Sequence, residues 1–222
     1  DLSFNISLPT KNSGQFSLFG FGGLSYQTTQ AKEDSALWKE DAYYRYTSKF
    51  FSNTGMMGAS HTKLFTNQSY LKTILAFSGT QNGYYQEKLN SDYTTFLRDY
   101  DQAYTQTKIT LSSTYTQKLN ARNSFRTGII LNQLGYQLVQ KELDDSLVLH
   151  ENINVKGITH TLQGFFQWQH KISSKFSSNI GAHYFQLFLN NSVSFEPRAA
   201  LKYELNPKNS LTAGYGLHSQ IQ

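Results

Sequence analysis

Cysteine is absent, proline occurs three times, and no apolar run approaches the ~18–20 residues that a helix needs to cross a bilayer. The first absence removes disulfides, thiolate metal sites and cysteine nucleophiles. The second leaves long segments free to pair as strands, since proline cannot donate to a ladder. The third excludes a helical membrane protein, as does a negative mean hydropathy with 38% hydrophobic residues. Charge is sparse at 16%, and the net +5 comes from cations scattered singly, as at Lys63, Lys72, Lys108, Arg126, Lys141, Lys175 and Lys202. Without a basic patch or stripe, the sequence does not read as a nucleic-acid binder. No Pro-rich or Ser-rich linker divides the 222 residues into two domains.

What the chain has is alternation and aromatic rings. Around Phe195-Glu-Pro-Arg-Ala-Ala-Leu-Lys-Tyr-Glu-Leu205, one face carries Val193, Phe195, Pro197, Ala199, Leu201, Tyr203 and Leu205. The other carries Ser194, Glu196, Arg198, Ala200, Lys202 and Glu204. The polar turn Asn206-Pro-Lys-Asn209 leads back into a second alternating segment, Ser210 to Leu217. Segments of this kind recur along the whole sequence and run longer than the five or six residues usual in soluble sheets. Sixteen Phe and fifteen Tyr supply residues that favour both strands and the membrane interface.

The pattern predicts ten strands, at about 1–9, 15–29, 48–65, 69–81, 102–118, 124–140, 157–170, 176–189, 193–205 and 210–217. In the sixth, the apolar parity of Phe125, Ile129 and Leu131 switches to Leu134, Tyr136 and Leu138, as a bulge or the membrane boundary would cause. Short turns near 10, 67, 121, 174 and 207 alternate with longer connections at 30–47, 82–101 and 141–156, Asn190-Asn191 being the short exception. Long alternating strands with turns of two lengths are the pattern of an all-β, antiparallel up-and-down transmembrane β-barrel. The short turns then face the periplasm. A complete ten-stranded barrel acting as a protease-like enzyme or adhesin, and a soluble β protein, are the alternatives. The outward set Phe16, Leu18, Leu75, Phe77, Ile109, Leu111, Phe166, Trp168, Leu201, Tyr203 and Leu211 argues against the soluble one.

Two stretches carry a family resemblance. Asp1-Leu-Ser-Phe-Asn-Ile-Ser-Leu-Pro-Thr-Lys-Asn-Ser-Gly-Gln-Phe-Ser-Leu-Phe-Gly-Phe-Gly-Gly23, and Phe195 to Tyr203 with Ser210 to Gln220, resemble strand-turn-strand units of TonB-dependent outer-membrane receptors. The branch they are most similar to has a carboxypeptidase-regulatory-like domain before its plug. The resemblance implies a 22-stranded barrel in the outer membrane of a Gram-negative bacterium. It also implies a plug domain of the same polypeptide, energy relayed by periplasmic TonB, and import of a scarce nutrient of the siderophore, glycan or peptide class. It further allows a surface lipoprotein partner, and it implies no cofactor and no covalent chemistry. Residues 1–222 are accordingly read as part of one barrel domain, with the plug and the remaining strands outside this sequence; the opening in an alternating segment and the unfinished strand at Leu217 to Gln222 suggest an internal piece.

Within that frame, Tyr43, Tyr44, Tyr84, Tyr85 and Tyr93 are the ligand-binding candidates, placed in or beside the long outer loops with Tyr46, Phe96 and Tyr100, where a ring can stack on a sugar, siderophore or peptide; loop packing and the interface girdle are the weightier alternative for any single ring. Arg126, Glu196, Arg198 and Lys202 are expected to line the lumen and meet the plug, because a filled lumen needs partners for its charges. Thr110 and Thr161 are placed inside with them. The carboxylates of Glu142-Leu-Asp-Asp-Ser146 and Glu151 read as solvated loop charge ahead of a calcium site, since no EF-hand spacing is present. His160 and His170 fall with the apolar face and His183 inside, so no metal site is expected.

Overall fold

A computed structural model describes residues 1–32, 34, 36–90 and 94–219. Ten strands follow one another in chain order and form a single antiparallel sheet in that same order. They are β1 (Leu2–Thr10), β2 (Gly14–Thr29), β3 (Tyr46–Thr66), β4 (Ser69–Leu89), β5 (Phe96–Lys118), β6 (Asn123–Leu143), β7 (Leu149–Lys171), β8 (Phe176–Leu187), β9 (Ser192–Asn206) and β10 (Asn209–Gly216). Two 3-10 turns, Leu37–Lys39 and Ala42–Arg45, occupy the connection before β3. Among the described residues β1 pairs only with β2 and β10 only with β9, so the sheet keeps two free edges.

The register aligns the apolar positions across strands. Leu18 pairs with Ala59, Ala59 with Leu75, Leu75 with Leu111, Leu111 with Leu131 and Leu131 with Leu162. Because side chains alternate with period two, one such row places the whole apolar set on one face, and a slip of one residue would turn it over. That face is uncovered: the members of the row other than Leu162 are all exposed, as are Phe16, Phe77, Ile109, Phe166, Trp168, Leu201, Tyr203 and Leu211. Buried hydrophobic residues are confined to Trp38, Leu89 and Leu187 among the described residues. The accessible surface is 15,530 Å², against roughly 10,300 Å² for a folded water-soluble monomer of this mass. A sheet whose apolar face meets no second layer takes lipid as its solvent.

Outward rings gather at the short-turn end. Phe65 and Tyr115 lie 6.3 Å apart, Tyr115 and Phe125 5.9 Å, Phe125 and Phe166 6.0 Å, and Phe176 and Tyr203 6.4 Å between centroids. This is the aromatic girdle of a membrane barrel. The turns themselves are tight. Gly14, at φ +91°, is required in the first one, because a Cβ there would lie 2.2 Å from the Thr62 carbonyl oxygen.

The loops differ from the sequence expectation. β3 to β7 are 21 to 23 residues long, about 70 Å at ~3.3 Å per residue, whereas ~9–11 tilted residues cross a bilayer. The predicted loop 82–101 is mostly strand: β4 continues to Leu89 and β5 begins at Phe96. Likewise β6 reaches Leu143 and β7 begins at Leu149, which leaves 144–148 of the expected 141–156. Beyond the lipid both faces meet water, so the alternation that marks a strand disappears although the ladder continues. The parity switch in β6 has the same cause. Its pairing with β5 and β7 runs unbroken through Leu134, Tyr136 and Leu138, so these residues lie on the polar face where it leaves the membrane level, and no bulge intervenes.

Candidate functional site

The polar face is where chemistry can occur, and it holds the sheet's best-buried polar groups. Thr110, Asn132 and Thr161 are register partners on β5, β6 and β7. Thr110 Oγ1 donates to Asn132 Oδ1 at 2.8 Å, and Asn132 Nδ2 donates to Thr161 Oγ1 at 2.9 Å. Asn132 is 5% exposed and Thr161 3%, so their groups are satisfied by one another rather than by water. The same side of the sheet carries Lys72, Lys108, Arg126, Gln163, Gln167, His183, Glu196, Arg198 and Lys202, as the registers require.

The predicted lumenal charges divide into two groups. Glu196, 4% exposed, is saturated. Arg198 Nη2 donates to its Oε2 at 2.6 Å, while the Ser219 backbone N–H, at 3.0 Å, and hydroxyl donate to Oε1. His183 Nδ1 lies 3.4 Å from Glu196 Oε2 without the alignment of a hydrogen bond, and its Nε2 lies 3.3 Å from Gln163 Oε1. Lys202 pairs with Glu204 at 3.0 Å. Arg126 stands apart: its guanidinium lies over the Phe165 ring at 5.7 Å, and among the described residues it forms no ion pair. Nor do Lys72 and Lys108.

The tyrosines are not brought together. Tyr43 is exposed on the Ala42–Arg45 turn, 6.1 Å from Tyr46, and Tyr44 is capped by Lys32 Nζ at 3.8 Å. Tyr84 and Tyr85 sit on β4 and not in a loop, and as neighbours on one strand they point to opposite faces. Tyr84 joins the polar face, 6.0 Å from Tyr100. Tyr85 lies on the other face under the Arg98 guanidinium at 3.9 Å, itself bound to Glu87 at 3.0 Å. Tyr93 falls outside the described residues.

The acidic stretch resolves into separate roles. Glu142 is on β6 and Glu151 on β7. Asp144 folds its own turn, accepting from Ser146 N and Val148 N at 2.9 Å each through Oδ1 and meeting His150 Nε2 at 2.7 Å through Oδ2. Its bond from Val148 leads the causes that hold its carboxyl below the usual range. His160 contacts Gln133 at 3.4 Å and His170 contacts Asn123 at 2.6 Å. No group of three or more metal-ligating side chains occurs among the described residues.

What sequence reading missed is the polar wall above the membrane level, formed by Gln86, Asp99, Gln102, Gln140, Glu142 and Asn152 around Tyr84 and Tyr100. Its signal was a Tyr-x-Gln spacing, which puts ring and amide on one face. Tyr84 donates to Gln86 at 2.8 Å and Tyr100 to Gln102 at 3.2 Å. The spacing recurs on the lipid-facing side at Tyr115 and Gln117, 3.0 Å, and at Tyr184 and Gln186, 3.1 Å.

No protein-family model matches the chain, and no curated protein sequence matches it. Among solved structures, it is similar to the ferric-catecholate import receptor Fiu of E. coli K12 in its open form. The TM-score is 0.55 at 8% identity, over 91% of this chain and 36% of the receptor. The translocator domain of the autotransporter NalP of Neisseria meningitidis gives 0.44 at 12% identity, over 98% and 74% of the two chains. The Pseudomonas putida toluene transporter TodX gives 0.41 at 9%, over 96% and 67%. At these identities the first likeness is one of fold, and the two lower scores bear no weight. The architecture is that of an outer-membrane β-barrel, and the chain spans about a third of the length of Fiu.

Proposed function

We propose that these strands are part of the wall of a TonB-dependent receptor in the outer membrane of a Gram-negative bacterium, importing a scarce nutrient without covalent chemistry. The observation that carries the reading is an open sheet, apolar outside and polar inside, with strands far longer than a bilayer needs. Free edges in lipid leave backbone groups unsatisfied at several kcal/mol each, so β1 and β10 call for further strands; a barrel closed by these ten alone is not favoured by that arrangement. The fold likeness to Fiu, whose name states import of ferric catecholates, supports a large receptor, and the resemblance of the β1–β2 and β9–β10 hairpins to this family points the same way.

A plug of the same polypeptide supplies partners for the inner face. Glu196, Arg198, Lys202 and Glu204 are neutralised within the sheet, so Lys72, Lys108 and Arg126 are the positions where an acidic plug surface docks. The reading is tested by genetic epistasis in the native host. Deleting this gene and deleting tonB are expected to produce the same growth defect on one limiting nutrient, with the double deletion no worse. A defect that differs from the tonB phenotype, or that adds to it, rules the reading out.

A further inference from the structure

Above the membrane level the sheet departs from regular pairing twice. Between β4 and β5, Gln86 opposes Tyr100 while Glu87 opposes Arg98, leaving Asp99 as an extra residue. Between β6 and β7, Gln140 opposes Ile153 while Lys141 opposes Glu151, leaving Asn152 extra. A β-bulge re-aims a side chain, and both extra side chains turn to the polar face. Asp99 Oδ2 accepts from Gln86 Nε2 at 3.1 Å. Asn152 Nδ2 donates to Glu142 Oε2 at 2.9 Å, and the other Glu142 oxygen accepts from Gln140 Nε2 at 2.9 Å. The two bulges flank a hollow of about 430 Å³ lined by Tyr84, Gln86, Asp99, Tyr100, Glu142 and Leu143. Small-molecule sites fall at about 300–1,000 Å³.

We propose that this hollow binds one or two rings of a neutral oligosaccharide, stacked on Tyr84 and Tyr100 with hydroxyls donating to Asp99 and Glu142. The proposal rests on the import reading above and names the ligand class of that transporter. A pyranose ring offers a face of C–H groups and a rim of hydroxyls. It is therefore matched by rings held in place by their own hydrogen bonds and by carboxylates that accept from vicinal diols. Fixing these side chains in advance lowers the entropy lost on binding. The charged side chains lining the hollow, Asp99 and Glu142, are both carboxylates, so an anionic chelate or phosphorylated ligand meets like charge there. Burial and the Glu142 charge raise the Tyr100 phenol above its ordinary value, so it remains a hydrogen-bond donor.

The test is binding by the native protein in detergent, presented to an array of neutral and acidic oligosaccharides and, separately, to ferric tris-catecholate. Neutral oligosaccharides are expected to bind. Tyr84→Ala and Tyr100→Ala are expected each to weaken a neutral hit by about tenfold, as anchor residues do, and Glu142→Gln to weaken it several-fold. Tyr84→Phe and Tyr100→Phe keep the ring and retain most of the affinity, which separates lost stacking from misfolding, and Tyr85→Ala on the opposite face leaves it unchanged. The proposal is overturned if no neutral oligosaccharide binds, if the ferric chelate binds instead, or if neutral binding is indifferent to both alanine variants. Binding does not depend on energy coupling. Saccharide binding without the tonB phenotype would therefore remove the import reading, whereas the tonB phenotype with Tyr-independent binding would remove this one.

Discussion

At the scale of single residues, the space around a glycine decides what a substitution costs, as Gly58 on the polar face and Gly55 on the apolar face show. A Cβ on Gly58 would lie 2.7 Å from the Phe19 ring and 2.9 Å from the Leu75 carbonyl oxygen, whereas one on Gly55 would meet only the Phe21 carbonyl oxygen at 3.8 Å. Neither residue has positive φ among the described residues, so the difference is one of packing and not of backbone conformation. Gly58→Ala is expected to destabilise by about 1–3 kcal/mol. Gly55→Ala is expected to be neutral or to stabilise by ~0.4–1 kcal/mol through the unfolded state. Urea unfolding of the native protein in lipid vesicles measures both, and equal effects would contradict the packing account. Thr161 shows the same principle. It lies on the inner face as the sequence predicts, and at 3% exposure and bonded to Asn132 it has no water to offer a charged group.

At the scale of elements, each strand has two faces with different solvents. Leu111 and Ser112 are neighbours on β5, the first paired with Leu75 and Leu131, the second with Ile74 and Ile130. Leu111→Lys puts an ammonium into lipid and is expected to cost about 2–4 kcal/mol. Ser112→Lys, on the polar face, is expected to cost less than ~1 kcal/mol. Similar costs in vesicle refolding would sink the assignment of faces. The β6–β7 connection responds to pH instead. Because the folded state lowers the Asp144 carboxyl pKa, its bonds to Ser146 and Val148 contribute fully above the unfolded value and are lost as pH falls through the lower folded one. The amide resonances of Ser146 and Val148 are therefore expected to shift with a midpoint below ~3.9, and Asp144→Asn to abolish the titration. A midpoint at or above that value would show that the turn does not hold the carboxylate.

At the scale of the whole molecule, the sheet does not close. Two free edges and an uncovered apolar face remain among the described residues, and the proposed receptor supplies what closes and fills the sheet. The native species extracted from the membrane is accordingly expected to be several-fold heavier than 25.3 kDa by native mass spectrometry. A native species of that mass, stable to protease and running faster unheated than heated in gel electrophoresis, would instead be a small self-closed barrel.

Which residues meet lipid is written locally in the chain. Alternation of Leu2, Phe4, Ile6 and Leu8, or of Phe195, Ala199, Leu201 and Tyr203, is a local property of period two, and a membrane on one side with water on the other writes it into the chain. Ten strands, their order and the short turns between them were legible for that reason. Pairing across the sheet settles how far the strands run past the membrane, because in water on both faces no pattern marks the ladder. It alone decided that Tyr84 and Tyr85 part to opposite faces, that Glu196 is neutralised by Arg198 while Arg126 is not, and that bulges at Asp99 and Asn152 build a hollow around Tyr100. These depend on register between strands distant in sequence, and register is set by the pairing of the whole sheet rather than by any one segment.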